Sequence, residues 1–283
     1  MILYKYIPYR PEFFSNYLIR ISGKNALNDP FEFLPSHSYL SDLFIQQGST
    51  ALGTTKSEIE SRLGEQFNFK AWLTMGAGIL DEHGVISLSE TDDNLLMWAH
   101  YADQHQGIVI GLDSTHKSFS TNYSISDAPL VGKISRVRYR KSRLHEFKDH
   151  YDTFFVKSDE WLYEKEHRFL LKLEQSTKML VKKNHIPKYG LGLLDAKIRT
   201  FSDDLNEITE FQNSFVRDSN VLFMYEIPKE AIVSIGTGVR MNDQNKKNIQ
   251  AAISNNDELK NVNLFSYKLD NYRFELTKQP MNI

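Results

Sequence analysis

The stretch Gly84–Leu112, GVISLSETDDNLLMWAHYADQHQGIVIGL, carries three local signals in succession. Gly84 to Glu90 alternates as a strand does, with Val85, Ser87 and Ser89 on one side and Ile86, Leu88 and Glu90 on the other. Asp92, Asp93 and Asn94 then offer an N-cap, and acidic side chains suit the positive end of a helix dipole. A helix is predicted from about Asn94 to Gln106, with Gly107 as its C-cap. Ile108 to Leu112 is a nearly continuous apolar run, as expected for a buried strand. Strand, helix and strand thus follow closely here, and the same mixture recurs elsewhere without regular alternation. That pattern argues for an α+β fold over a doubly wound one.

Working outward, residues 2–7 alternate as a short strand stopped by Pro8 and Pro11, and Phe13 to Ile21 is read as a short helix. Asn28-Asp29-Pro30 marks a turn. Ile59, Leu63, Phe67 and Ala71 recur at helical spacing. Ile134 to Arg140 is expected as one strand, Leu144 to Phe155 as an amphipathic helix, Tyr163 to Leu173 as extended, and 190–218 as helical. Val221–Ile227 and Ile232–Thr237 are expected strands, and Asp243–Ile253 a helix. Val262–Leu269 and Tyr272–Thr277 are expected as a terminal hairpin. With no internal repeat or long linker, the expectation is a single α+β domain over 1–283, with a mostly helical insertion at about 33–83.

A 41% hydrophobic, 25% charged chain of 283 residues is long enough for a substantial core, and its formal charge of -2 gives it no global bias toward nucleic acid or membranes. Cysteine is absent, which excludes disulfides, thiolate nucleophiles and iron–sulfur clusters and fits a cytoplasmic location. No apolar run is long enough to span a bilayer, and the N-terminus lacks a signal-peptide pattern.

The residues able to carry chemistry fall in three segments: Asn28–Glu32, Ser87–Gly107 and Trp161–Arg168. On the helix, Leu95, Trp98, Ala99 and Ala102 share an apolar face, His100 lies opposite and Tyr101 between. Trp98 and Leu95 are expected to anchor the core; His100 is as readily a rim residue satisfying a carbonyl as a functional one. His100 and His105 are five apart, a poor spacing for a metal pair, so no metal ligands are assigned. Ser87 and Ser89 sit close to the helix N-terminus, where they can bond a phosphate or ribose, or where Ser89 simply caps the helix. If 163–168 is extended, Glu164, Glu166 and Arg168 project from one face. Such a carboxylate pair can hold a sugar or a cation, or place one carboxylate as a base. Composition alone favours a solvated edge with a Glu–Arg pair. Arg136, Arg138 and Arg140, with Lys133, Lys141 and Arg143, form the main basic patch, either solvated or able to track a phosphate backbone.

Several of these segments, namely Leu3-Tyr4-Lys5-Tyr6, Asn28-Asp29-Pro30-Phe31-Glu32, Ser87-Leu88-Ser89-Glu90, Leu96-Met97-Trp98-Ala99-His100-Tyr101-Ala102-Asp103 with Gln106-Gly107-Ile108, Trp161-x-Tyr163-Glu164-x-Glu166-x-Arg168 and Ile227-Pro228-Lys229-Glu230-Ala231-Ile232, together resemble a widespread bacterial domain-of-unknown-function family. The likeness spans nearly the whole chain, which departs from it in the long stretch between Glu32 and Gly84. That family is distantly similar to ADP-ribosyltransferases, including toxins and phage-defence effectors. The resemblance implies a mixed, largely antiparallel split sheet with flanking helices and NAD as substrate. It implies that Tyr4 or Lys5 contacts NAD, that Ser87 or Ser89 contacts the nicotinamide ribose, and that Glu164 or Glu166 holds the ribose and polarises the leaving nicotinamide. The candidate catalytic set is therefore Glu166, Glu164, His100 and Tyr101. The candidate NAD-binding set is Tyr4, Lys5, Asn28, Asp29, Ser87, Ser89, Trp98 and Arg168. A carboxylate such as Glu166 would stabilise oxocarbenium character on the ribose, and Tyr101, Trp98 or Tyr163 could stack the nicotinamide. A macromolecular acceptor, protein or nucleic acid, and a regulatory partner are the expected associates, with no membrane.

Two other readings stand beside this one. Asp29, Glu32, Glu90, Asp92 and Asp93 could gather Mg²⁺ for a nuclease of a defence system, with the Arg136–Arg143 patch holding the strand. Alternatively the same pocket senses a nucleotide without turnover, and 33–83 contacts a partner.

Overall fold

A computed structural model describes residues 1–34, 77–120, 130–145, 150–188 and 198–281, with scattered positions between 36 and 61. In chain order the elements are β1 (Ile2–Ile7), α1 (Phe13–Asn16), β2 (Leu18–Gly23), α2 (Ala77–Glu82), β3 (His83–Ser89), α3 (Leu95–Tyr101), β4 (Ile108–Asp113), β5 (Ile134–Arg136), β6 (Arg138–Arg140), β7 (Val156–Ser158) and β8 (Glu166–Lys172). There follow β9 (Lys178–Lys182), β10 (Ile198–Thr200), β11 (Leu205–Ile208), β12 (Val221–Glu226), β13 (Ile232–Thr237), α4 (Asp243–Ser254), β14 (Asn263–Leu269) and β15 (Leu276–Pro280). The fold is mixed α+β with few helices and a largely antiparallel sheet; the parallel pairs are β13 with β14 and, in a separate ribbon, β6 with β7. Among the described residues no helix is long and apolar enough to cross a membrane.

β3 holds the large sheet together. One edge pairs with β8 along its whole length, from His83↔Lys172 to Ser89↔Glu166. The other edge is shared: β1 meets it at Tyr4↔Ser89, and β2 meets it at Ser22↔Val85 and Gly23↔Gly84. From this fork two wings diverge, β1-β4-β13-β14-β15 and β2-β12-β9-β11-β10. Between them the middle of β3, at Ser87, has no strand partner on that edge among the described residues. Apolar residues of both wings and of the β3–β8 pair, including Leu3, Ile19, Ile86, Ile110 and Phe169, pack into one buried cluster. A smaller cluster of Tyr6, Met97, Trp98, Val109 and Tyr267 seats α3 on the first wing.

Several expected elements differ. The helix predicted from Phe13 stops at Asn16, because Tyr17 adopts a positive φ of 52°, and Leu18 onward is strand, with Leu18, Ile19 and Ile21 all buried. α3 is shorter than predicted, ending at Tyr101, because Asp103, Gln104 and His105 all take positive φ. Gly107 is thus not a C-cap; a Cβ there would stand 2.3 Å from the Ile7 carbonyl oxygen, so glycine lets the chain pass close to β1. Leu95 does not anchor the core: it is exposed, and Met97 takes the buried place beside Trp98. The strand predicted over 134–140 is two, because β5 pairs with β8 while β6 pairs with β7. His150–Phe155 and Asp159–Glu164 are 3-10 turns where a helix and an extended segment were expected. The helix predicted over 190–218 is instead β10, β11 and a 3-10 turn at Asn213–Arg217, with 189–197 outside the described residues. Most of the expected helical insertion, including Leu63, Phe67 and Ala71, also lies outside them; within it, 56–59 and α2 are helical.

Candidate functional site

The fork in the sheet opens a cavity of about 280 Å³, close to the lower end of the ~300–1,000 Å³ typical of small-molecule pockets. β1 lines it with Tyr4, Lys5 and Tyr6; β2 with Ser22; β3 with Ser87 and Leu88; α3 with Met97, His100 and Tyr101. Ala26, Leu27 and Asn28 close one side, and Lys157, Glu164 and Glu166 form the polar wall. Where β3 lacks a strand partner, the Lys5 ammonium donates to the Ser87 carbonyl oxygen at 3.0 Å. A side chain thus satisfies a backbone acceptor that the fork has left open.

Behind this wall lies a buried ion network. Lys157 Nζ donates to Glu164 Oε2 at 2.7 Å and stands 3.1 Å from Glu32 Oε1 and 3.6 Å from Glu166 Oε2. Arg168 is fully buried and grips Glu166 with two bonds, Nε to Oε1 at 2.8 Å and Nη2 to Oε2 at 2.9 Å. Its Nη2 also donates to Glu32 Oε1 at 2.8 Å, and its Nη1 to the Phe154 carbonyl at 2.7 Å. Tyr101 donates its hydroxyl to Glu164 Oε1 at 2.6 Å and accepts from the Asn28 amide at 3.2 Å. Three carboxylates (Glu32, Glu164, Glu166) therefore face two cations (Lys157, Arg168), and Lys5 is the next cation along.

The two wall carboxylates respond in opposite ways. Burial lifts the Glu164 carboxyl above the ordinary glutamate range, only partly opposed by Lys157 and reinforced by Glu166. Burial also opposes ionisation of Glu166, but Arg168 and Lys157 overcome it and pull that carboxyl down to about 2. Burial lowers the Lys5 ammonium to about 8, against the pull of Glu166 and Glu164. Lys157 is also buried, yet its three carboxylate neighbours raise it. Acceptor capacity differs as well. Glu166 is occupied on both oxygens by Arg168 and receives the Ser87 hydroxyl. Glu164 has one charged donor and one phenol, so lone pairs remain for a ligand.

The three predicted segments do converge, although the local structure is not the expected one. Glu164 ends a 3-10 turn, Lys165 takes a positive φ of 45°, and Glu166 opens β8; this kink turns both carboxylates to Lys157. Tyr4, Lys5, Asn28, Ser87, His100, Tyr101, Glu164 and Glu166 all line the cavity. Four other predicted residues do not. Trp98 is fully buried core, its Nε1 donating to the Asp92 carbonyl at 2.8 Å. Ser89 is buried and donates to the Glu164 carbonyl at 2.7 Å, holding the kink; the cap of α3 is Asn94. Asp29 accepts from the Phe31 N–H and shapes its turn, and Arg168 lies behind the wall as its anchor. Tyr163 stands outside the lining, 6.3 Å from the His100 ring. Lys157 is absent from the sequence-based candidates, and Glu32 enters them only as a possible metal ligand in the segment Asn28–Glu32, not as a partner of Arg168 and Lys157. Lys157 follows the apolar run Phe154-Phe155-Val156, and a lone lysine after such a run is the signal that could have marked it.

The acids that might have gathered a metal ion are dispersed: Glu90 lies by Arg136 and His167, and Asp92 pairs with Lys278. Among the described residues no group of three His, Asp or Glu side chains is placed to hold a metal ion. In comparison with known proteins, no family model, no curated protein and no solved structure matches this chain.

Proposed function

We propose that this chain is an NAD-dependent ADP-ribosyltransferase-like effector of the toxin or phage-defence kind, acting in the cytoplasm on a protein or nucleic acid, as the resemblance to the bacterial family implies. One observation carries the reading: Lys5 from β1, Ser87 from β3, Glu166 from the start of β8 and Glu164 from the turn just before it come onto one cavity, where the carboxylate pair is the acidic face of the wall. The forked sheet also suits the split-sheet fold expected for such enzymes. Departure of nicotinamide breaks its bond to the ribose C1′; the ring leaves neutral with the electron pair, and positive charge grows on the sugar. A buried carboxylate with spare lone pairs, Glu164, stabilises that charge and orients a ribose hydroxyl. The acceptor's nucleophile then bonds to C1′, and its proton passes to Glu164. Tyr4, Tyr6 and Tyr101 supply aromatic surface for the nicotinamide.

The test is incubation of the purified chain with labelled NAD and a cell lysate, following label transfer and free nicotinamide. Glu164→Gln keeps the shape of the wall and is expected to lower turnover by about 10²–10³-fold, the usual loss when one charge-stabilising group is removed. Absence of both label transfer and nicotinamide release would overturn the reading. A ligand-induced rise in melting temperature without turnover would instead favour a nucleotide-binding module.

A further inference from the structure

A second cavity, of about 320 Å³, lies on the far side of Lys157, which lines both. Its floor is the parallel β6–β7 ribbon, where Arg140 is in register with Ser158. The loop after β6 adds Lys141, Ser142 and Arg143, and Phe31 lines the cavity beside Arg143. Arg140, Lys141 and Arg143 are all exposed, and none has a carboxylate partner among the described residues. Arg138 and Arg136, just upstream on the same segment, are by contrast paired with Asp152 and Glu90. No Asp or Glu is among the described residues that line this cavity. The one buried cation there, Lys157, is already neutralised by Glu32 and Glu164. Positive charge is thus concentrated and unanswered on one rim. The Arg143 guanidinium lies over the Phe31 ring, 5.2 Å from its centroid, and Phe31 is itself 57% exposed.

We propose that this second cavity is a nucleotide-phosphate site. Arg140 and Arg143 take the phosphate oxygens with the geometric fit of guanidinium for phosphate, and the Ser142 and Ser158 hydroxyls add donors. The base stacks on the Phe31–Arg143 surface, because exposed aromatic and guanidinium planes both accept a flat ring. The site goes beyond the transferase reading and stands without it, since the residues assigned to the ligand, Arg140, Arg143, Ser142, Ser158 and Phe31, line only the second cavity, and the shared Lys157 is engaged by carboxylates. The same chemistry is offered by a free nucleotide or by the end of a nucleic-acid strand.

Fluorescence anisotropy of mant-labelled ADP on the full chain tests this, with inorganic phosphate, adenosine and a short single-stranded RNA as competitors. Saturable binding is expected, with inorganic phosphate competing and adenosine, which keeps only the stacking contact, competing far more weakly than ADP. Arg140→Gln and Arg143→Gln each remove a charge-assisted contact and should weaken binding about tenfold. Both side chains are exposed, so the melting temperature should hold. If the RNA outcompetes ADP, the phosphate belongs to a strand; if ADP wins, to a free nucleotide; either supports the site. No saturable binding, equal competition by adenosine, or binding indifferent to both arginine substitutions would overturn it. Loss of binding in Glu164→Gln alone would place ADP in the first cavity and likewise overturn it.

Discussion

Arg168 makes four hydrogen bonds from complete burial, so its removal leaves Glu166 and Glu32 as buried charges short of a partner. Arg168→Ala is expected to cost about 3–5 kcal/mol in urea unfolding, as breaking a buried pair does; Arg168→Lys should recover only part of it, because an ammonium cannot grip a carboxylate in two places. A loss below about 1 kcal/mol for the alanine variant would show that the network is not what holds the wall. Lys5 makes a different prediction. Its folded value is about 8, below the ordinary 10.5, so between those two values the unfolded chain binds more protons than the folded one. Stability should therefore rise with pH through that window, as burying a charged Lys5 ceases to be a cost. Comparing Lys5→Met with the parent at about pH 7.5 and about pH 9.5 isolates this contribution, and a gap between the two proteins that did not change with pH would contradict it.

At the scale of elements, α3 positions Tyr101 against Glu164, and its start is set by Asn94, whose side chain accepts from the Leu96 and Met97 N–H groups. Asn94 also donates to the Tyr163 carbonyl, tying the helix to the turn that presents Glu164. Asn94→Ala is expected to cost about 1 kcal/mol from the cap alone, read as a lowered denaturation midpoint at unchanged slope. The nearby Gly107→Ala should cost about 1–3 kcal/mol, because its Cβ would press on the Ile7 carbonyl and part α3 from β1. The boundaries of these elements were only partly legible. Alternation revealed β3, a nearly continuous apolar run revealed β4, and the cap residues revealed where α3 begins. The end of α3 was hidden because Asp103, Gln104 and His105 adopt positive φ with no glycine among them to announce it. Likewise Leu18–Ile21 read as helix because both faces of that strand are buried, so its apolar residues do not alternate.

For the whole molecule, the carboxylate wall ties folding to acidity in two opposite senses. The Glu166 value is depressed to about 2, so its contribution is complete above the ordinary glutamate value near 4.5 and is lost as pH falls from there toward 2. The Glu164 value is raised, so the folded state holds its proton more readily than the unfolded chain, and acidification relieves a cost. In acid denaturation Glu166→Gln should flatten the limb below about pH 4.5, whereas Glu164→Gln should not. The reverse order would assign the anchoring role to Glu164. Sequence by itself determined the mixed α+β class, most strands of the first wing, the cap of α3 and the three segments that meet at the cavity. All of these rest on alternation, capping chemistry and turn residues, which act between near neighbours in the chain. Only the tertiary structure decided that β1 and β2 share one edge of β3, that Lys157 joins Glu32, Glu164 and Glu166, that Trp98 and Arg168 lie behind the cavity, and that a second, basic cavity backs onto the first. Those facts depend on strand register and on contacts between residues as far apart as Glu32 and Arg168, and no local period in a single chain encodes such a meeting.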